Sequence, residues 1–182
     1  MSHPVAEPSP WLLRWAPLIA PGGVVLDLAC GAGRHARLLA GRGHPVVAVD
    51  RDREALADLA GTPGIEPVYA DLEKGAPWPL GTRRFAAIVV CNYLHRPLFP
   101  QLAAALADGG VLIYETFAAG NERYGRPSNP QFLLQPAELL DAFRRLLSVV
   151  AFEQGRVARP KPAVIQRLCA LRGGTADVPL AP

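Results

Sequence analysis

Three carboxylates and two glycines fall at spacings that suit the recognition of a nucleoside. Asp27 lies inside the apolar run 24–29, which leads into Gly31-Ala32-Gly33 and then into a helical pattern from Arg34. Glycines at such a strand exit let backbone N–H groups approach a ligand, because side chains there would block it. Roughly twenty residues further on, a second apolar run ends in Asp50, where a strand-end carboxylate suits the two hydroxyls of a ribose. A third run ends at Asp71. Residues 31–36 also fit the dinucleotide pattern G-x-G-x-x-G/A. A pyrophosphate, however, must sit on the helix N-terminus, and a neighbouring acid repels it. Asp27 suits a cation instead, such as the ammonium of an amino acid.

Residues 25–34, Val-Leu-Asp-Leu-Ala-Cys-Gly-Ala-Gly-Arg, resemble the first motif of the class I S-adenosylmethionine-dependent methyltransferases, D/E-x-G-x-G-x-G. Ala29 replaces the first glycine, a mild change if that position keeps φ below zero. The resemblance implies S-adenosylmethionine as cofactor and S-adenosylhomocysteine as product. It implies cofactor contacts from Asp27, Ala29, Cys30, Gly31, Gly33, Asp50, Arg51, Asp71, Leu72 and Asn92. In the family an acid after the third strand, with a backbone N–H beside it, meets the adenine; here these are Asp71 and Leu72. Alone, Asp71 reads as a turn-former before a Gly/Pro-rich loop; with Asp27 and Asp50 in register it reads as a ligand.

The segment after the fourth strand, residues 92–97, faces the transferable methyl in such enzymes. Methyl transfer is an in-line displacement at a carbon activated by a sulfonium, so the protein mainly orients the nucleophile and sometimes removes its proton. Tyr93 and Glu115 are the candidates for orientation. His95 is a candidate base, or else a helix-cap or packing histidine. The stretch 116–130 is long, polar and aromatic and follows the fifth strand. Ligands of open α/β sheets bind beyond those strand ends, and a long loop there is more often functional than spare. It is expected to cover the methyl-donor cleft, with Tyr124, Arg126 and Asn121 contacting substrate. This loop resembles one in small bacterial methyltransferases similar in size to tellurite- and thiol-methylating enzymes.

These residues need strands and helices to hold them. Buried apolar runs place strands at 24–29, 46–50, 65–70, 85–91 and 111–115, and a hairpin at 148–157 and 163–171. Helical spacing places helices at 11–20, 34–41, 53–60, 98–106 and 136–147. Ser9 is a candidate N-cap, Pro17 is expected to kink the first helix or end it early, and Pro136 is expected at the first position of the last. The first helix reads equally as a lid or as a cover for the core. A terminal hairpin after five βα units separates this chain from dinucleotide-binding domains, which finish with a parallel sixth strand. The hairpin resembles the antiparallel strand pair that ends the class I methyltransferase sheet, and that resemblance implies the fold: α/β, one doubly wound seven-stranded sheet, order 3-2-1-4-5-7-6, strand 7 antiparallel, helices on both faces. It forms one domain over 1–182, with 1–10 and 173–182 as loose termini.

Half the residues are hydrophobic and 19% are charged, which excludes a disordered chain. No run approaches a membrane span, and residues 1–10 show no signal peptide. Cys30, Cys91 and Cys169 lack CxxC spacing, so neither a disulfide framework nor a metal site is expected, and a reducing cytoplasm is. The net charge of +3 does not by itself indicate nucleic acid, because the arginines are scattered singly and in pairs along the sequence. Three functions stay open: a methyltransferase acting on a small molecule; one acting on RNA or protein, with Arg123 and Arg126 on a polyanion; and an NAD-binding oxidoreductase or non-catalytic nucleotide-binding module. Nothing in the sequence fixes an oligomeric state.

Overall fold

Strands form where the apolar runs are rich in β-branched residues and flanked by glycine or proline. The computed structural model describes residues 7–75, 77–174 and 177–180. Its strands are β1 (Val25–Leu28), β2 (Val46–Asp50), β3 (Ile65–Tyr69), β4 (Phe85–Cys91), β5 (Leu106–Phe117), β6 (Ser148–Val157) and β7 (Ala163–Leu171). They make one sheet in the order β3-β2-β1-β4-β5-β7-β6. The first five run parallel, and β7 is antiparallel to both β5 and β6. This is the expected topology, and four of the seven strands begin and end where the sequence places them.

Alternate side chains of the strands pack on opposite faces. Helices α1 (Pro10–Trp15), α2 (Arg34–Gly41) and α3 (Arg53–Leu59) cover one face through Trp11, Trp15, Leu39 and Leu59. Helices α4 (Phe99–Ala105) and α5 (Glu138–Phe143) cover the other, where Phe99, Tyr114 and Phe143 form an aromatic group. Parallel strands with helices on both faces leave the C-terminal strand ends as the open edge.

The first helix ends early at Pro17, as expected: it stops at Trp15 and tightens into a 3₁₀ turn, Ala16–Leu18, as Pro17 interrupts the hydrogen-bond ladder. Three expectations are corrected. Ser9 and Pro10 do not belong to a loose arm: Ser9 is 5% exposed and caps α1, and Pro10 opens it. Residues 1–6 lie outside the described residues. The fifth strand begins at Leu106 and not at Val111, because the chain bulges rather than turns between them. A Cβ on Gly110 would stand 2.8 Å from the Phe85 carbonyl oxygen, so only glycine permits that approach. Finally, α5 begins at Glu138 and not Pro136, since Ala137 takes a left-handed φ of 58° and breaks the first turn. Gln166 fixes its start by accepting from the Leu139 N–H at 2.9 Å.

Candidate active site

The ends of β1 to β4 enclose a cavity of about 150 Å³. Five expected cofactor residues line it: Ala29, Asp50, Arg51, Asp71 and Leu72. Ala70, Glu73 and Tyr93 complete its wall. Asp50 is held by two backbone donors, the Gly31 N–H at 2.7 Å and the Asp52 N–H at 2.9 Å. Its carboxylate therefore clasps the glycine loop to β2. Arg51 crosses the cavity edge to Glu73 at 3.3 Å. Lys74 and the Glu73 N–H hold Asp71 below the usual carboxylate range.

The loop after β1 runs through left-handed backbone at Ala29, Gly31 and Gly33, with φ of 55°, 52° and 74°. The condition under which Ala29 would be a mild change, a negative φ, is not met, and an alanine there is held at a cost of about 1–2 kcal/mol. A Cβ on Gly31 would meet nothing within 4 Å, whereas one on Gly33 would stand 2.5 Å from Leu59. The first glycine leaves an open approach and the second lets α2 pack on α3. Asp27 lies behind the loop, 1% exposed, and accepts from the Ala36 N–H at 2.9 Å. Burial pushes its carboxyl up to about 7. The Cys30 thiol is likewise pushed up by burial, so it is filler and not a nucleophile.

Beyond β1 the edge changes character. Cys91, Glu115, Arg167 and Glu153 sit opposite one another in register across β4, β5, β7 and β6, all on the α1 face. Glu115 accepts from the Ser9 hydroxyl at 2.9 Å and from the Cys91 thiol at 3.7 Å, and meets Arg167 at 3.5 Å. Arg167 also pairs with Glu153 and lies 4.8 Å from the Trp11 ring centre. Arg34, from the start of α2, donates to the Cys91 sulfur at 3.3 Å and to the Glu7 carbonyl at 3.1 Å. Burial pushes Cys91 up to about 12, so it remains a thiol. The neighbouring His35 is lowered to about 4 by burial and by Arg34, which keeps its Nε2 free to accept from the Ser9 N–H.

Residues 25–110 match the family model described as a methyltransferase domain. The structure is similar to TehB from Haemophilus influenzae, with 17% identity and a TM-score of 0.73 over 89% of this chain and 61% of that one. The chain has the class I methyltransferase fold. It is also similar to a TehB-like SAM-dependent methyltransferase from Corynebacterium glutamicum, with 19% identity and a TM-score of 0.65 over 90% and 87% of the two chains. A third neighbour is the glycopeptide N-methyltransferase MtfA complexed with sinefungin, with 18% identity and a TM-score of 0.64 over 93% and 95%. No curated protein matches the sequence. The chain spans less than two thirds of the length of TehB.

Within the methyltransferase fold, the expected residues divide unevenly. Tyr93 lines the cavity with Asp50 and Asp71, away from the Glu115 row, and its buried hydroxyl has no hydrogen-bond partner among the described residues. Asn92 is exposed in left-handed backbone with φ 58°, its N–H bound to the Glu115 carbonyl at 2.9 Å. His95 precedes a 3₁₀ turn, Arg96–Leu98, without capping it by its side chain. Asn121 is 2% exposed and staples its loop, donating to the Pro127 carbonyl at 2.9 Å and accepting from the Val164 N–H at 3.2 Å. Tyr124 and Arg126 are exposed, and no residue of 116–130 lines the cavity. Sequence reasoning read Ser9 only as a cap and missed Arg34, Arg167 and Glu73. Ser9 and Glu115 are 106 residues apart, so no local spacing joins them. No helix among the described residues is long and apolar enough to cross a membrane.

Proposed function

We propose that the protein is an S-adenosylmethionine-dependent methyltransferase that moves a methyl group directly to an acceptor held over the ends of β4 and β5. The observation that carries this reading is the convergence of Ala29, Asp50 and Asp71 on one cavity, with the glycine loop tied to Asp50 through the Gly31 N–H and buried Asp27 behind it. Asp50 is placed for ribose hydroxyls, and Asp71 with the Leu72 N–H for adenine. Asp27 and the glycine loop are the groups for the cationic methionyl end. A buried acid with no ion-pair partner among the described residues, behind a helix N-terminus, favours a cation over a pyrophosphate, which supports this cofactor over NAD.

When bound, the cofactor supplies a methyl carbon activated by a sulfonium. The chain then has to orient the acceptor nucleophile and exclude water. Glu115 is the proposed orienting group. Ser9, Cys91 and Arg167 hold its two oxygens, so its direction is fixed before an acceptor arrives. Tyr93 serves better as a wall of the cofactor cavity than as an acceptor contact. His95 remains a proposed base, to be tested by His95→Ala. A small-molecule acceptor agrees with the sequence resemblance. A nucleic-acid acceptor is the second reading, favoured by exposed Arg123 and Arg126 in the loop after β5 and Arg156, Arg159 and Lys161 at the β6–β7 turn, which the Asn121–Val164 hydrogen bond brings side by side.

Calorimetry with S-adenosylmethionine, S-adenosylhomocysteine and NAD tests the cofactor. The first two are expected to bind and NAD is not. Tight NAD binding without S-adenosylmethionine binding would overturn the assignment.

A further inference from the structure

The arginines that look scattered in the sequence meet at one end of the sheet. Asn121 binds the N–H of Val164, so the loop after β5 is seated on the start of β7. Val164 in turn pairs with Arg156 across the hairpin. Arg123 bends back over Gly120, its guanidinium 3.0 Å from where a Cβ would stand, beside Val164 at 3.4 Å from the same point. Arg126 precedes Pro127, whose carbonyl Asn121 holds. Arg159 and Lys161 form the turn between β6 and β7. Arg123, Arg126, Arg156, Arg159 and Lys161 are all exposed.

Two of the acids nearby are ion-paired away from this end, Glu138 with Arg96 and Glu153 with Arg14 and Arg167. Glu122 accepts from the Gly120 N–H and leaves one negative charge against five positive ones. The same loop region exposes two aromatic rings, Tyr124 at 40% and Phe132 at 45%. By contrast, exposed Tyr69 is covered by the Arg53 guanidinium, 3.5 Å from its ring centre. This end therefore joins a net positive charge to open aromatic faces, at the C-terminal edge where β5 delivers Glu115. Phosphates bind such charge by releasing counterions, and unpaired bases stack on such rings.

We propose that this end binds single-stranded nucleic acid, its phosphates on the five cations and its bases on Tyr124 and Phe132, and that the strand carries the methyl acceptor. The second clause rests on the methyltransferase reading; the first does not. A single strand is favoured over a duplex because stacking needs bases that are unpaired, and among the described residues no α-helix carries these cations to a groove.

Fluorescence anisotropy tests it with the full chain and a labelled single-stranded RNA of about twenty mixed nucleotides. The expected result is binding at about 50 mM salt that weakens steeply by 200 mM. The slope of log affinity against log salt should be about −0.7 for each phosphate contact. The combined variant Arg123→Ala, Arg126→Ala, Arg156→Ala and Arg159→Ala should weaken binding at least tenfold and flatten that slope. Tyr124→Ala with Phe132→Ala should weaken binding threefold or more with the slope unchanged. The control Arg42→Ala, Arg84→Ala and Arg145→Ala should change little. Absence of binding at low salt would overturn the proposal, and so would an equal loss in the control. Competition by free uridine monophosphate at the same nucleotide concentration would also overturn it, in favour of a small acceptor. Asp50→Ala separates the two readings. It should lose the cofactor and keep RNA binding, whereas cofactor binding without RNA binding defeats this inference alone.

Discussion

At the β1–β4 end, the groups that line the cavity are supplied by strand ends and the short loops directly after them. Asp50 reaches Gly31, and Asp71 reaches Glu73 and Lys74, within one small enclosure. At the β5–β7 end, the polar row is assembled from Ser9, Cys91, Glu115, Arg167 and Glu153, which come from five separate elements. The first region is a local device repeated strand after strand. The second exists only once the whole sheet has formed. The enclosed half is proposed to hold the constant partner, and the open half to receive the variable one.

The comparison predicts effects of decreasing size. Asp50→Ala should weaken S-adenosylmethionine binding at least tenfold in a folded protein. A charge-assisted hydrogen bond contributes about 1.5–3 kcal/mol, and the glycine loop also loses its tie to β2. Unchanged affinity by calorimetry would break the division between the halves. Next comes pH. Asp27 stands at about 7 when folded, against 3.8 as its ordinary value. The folded chain thus keeps a proton that the unfolded chain releases between those values. Stability of the ligand-free protein should fall as pH rises through that window. Affinity for a cationic ligand should rise over the same range, by a factor approaching about ten from pH 6 to 7.5. Calorimetry at several pH values checks this, and Asp27→Asn should abolish the dependence.

Smaller effects probe each half separately. Ser9→Ala removes a cap and a hydrogen bond to Glu115. It should cost about 1 kcal/mol, or about 2–4 °C in thermal melting, while cofactor affinity stays the same. A parallel loss of affinity would show that the halves are coupled. Ala29→Gly relieves a left-handed alanine and should raise stability by about 1 kcal/mol, read by the same melting experiment. Smallest of all, Tyr124→Ala with Arg126→Ala should leave cofactor affinity within about twofold, because neither residue lines the cavity.

The residues that line the β1–β4 cavity were legible in the sequence because their information is local. A strand, a turn and an acid are read in one window, and the apolar runs that place β2, β4, β6 and β7 show no ambiguity of length. Ala29 escaped because residue type alone does not report φ. The start of β5 escaped because Asp108-Gly109-Gly110 has turn chemistry, while the structure uses Gly110 for close approach to Phe85. Asn121 was read as a substrate contact, since a polar residue in a long loop carries no mark of whether it faces outward or braces its own turn. The gathering of arginines was hidden for a topological reason. The antiparallel return of β7 brings residues 156–161 beside 123–126, and no window along the chain spans that distance.

The tie between α1 and the last strand also orders events during synthesis. Trp11 donates its indole N–H to the carbonyl of Leu168, 157 residues later, and Ser9 waits for Glu115. Until β7 has left the ribosome, Trp11, Leu12 and Trp15 have no finished surface to cover and remain a greasy amphipathic stretch. The cofactor-side strands β1 to β4 can pair well before then, whereas α1 docks last and closes the tertiary structure. A nascent chain paused before β7 would thus present those two tryptophans to chaperones, and release of that stretch would report completion of the sheet.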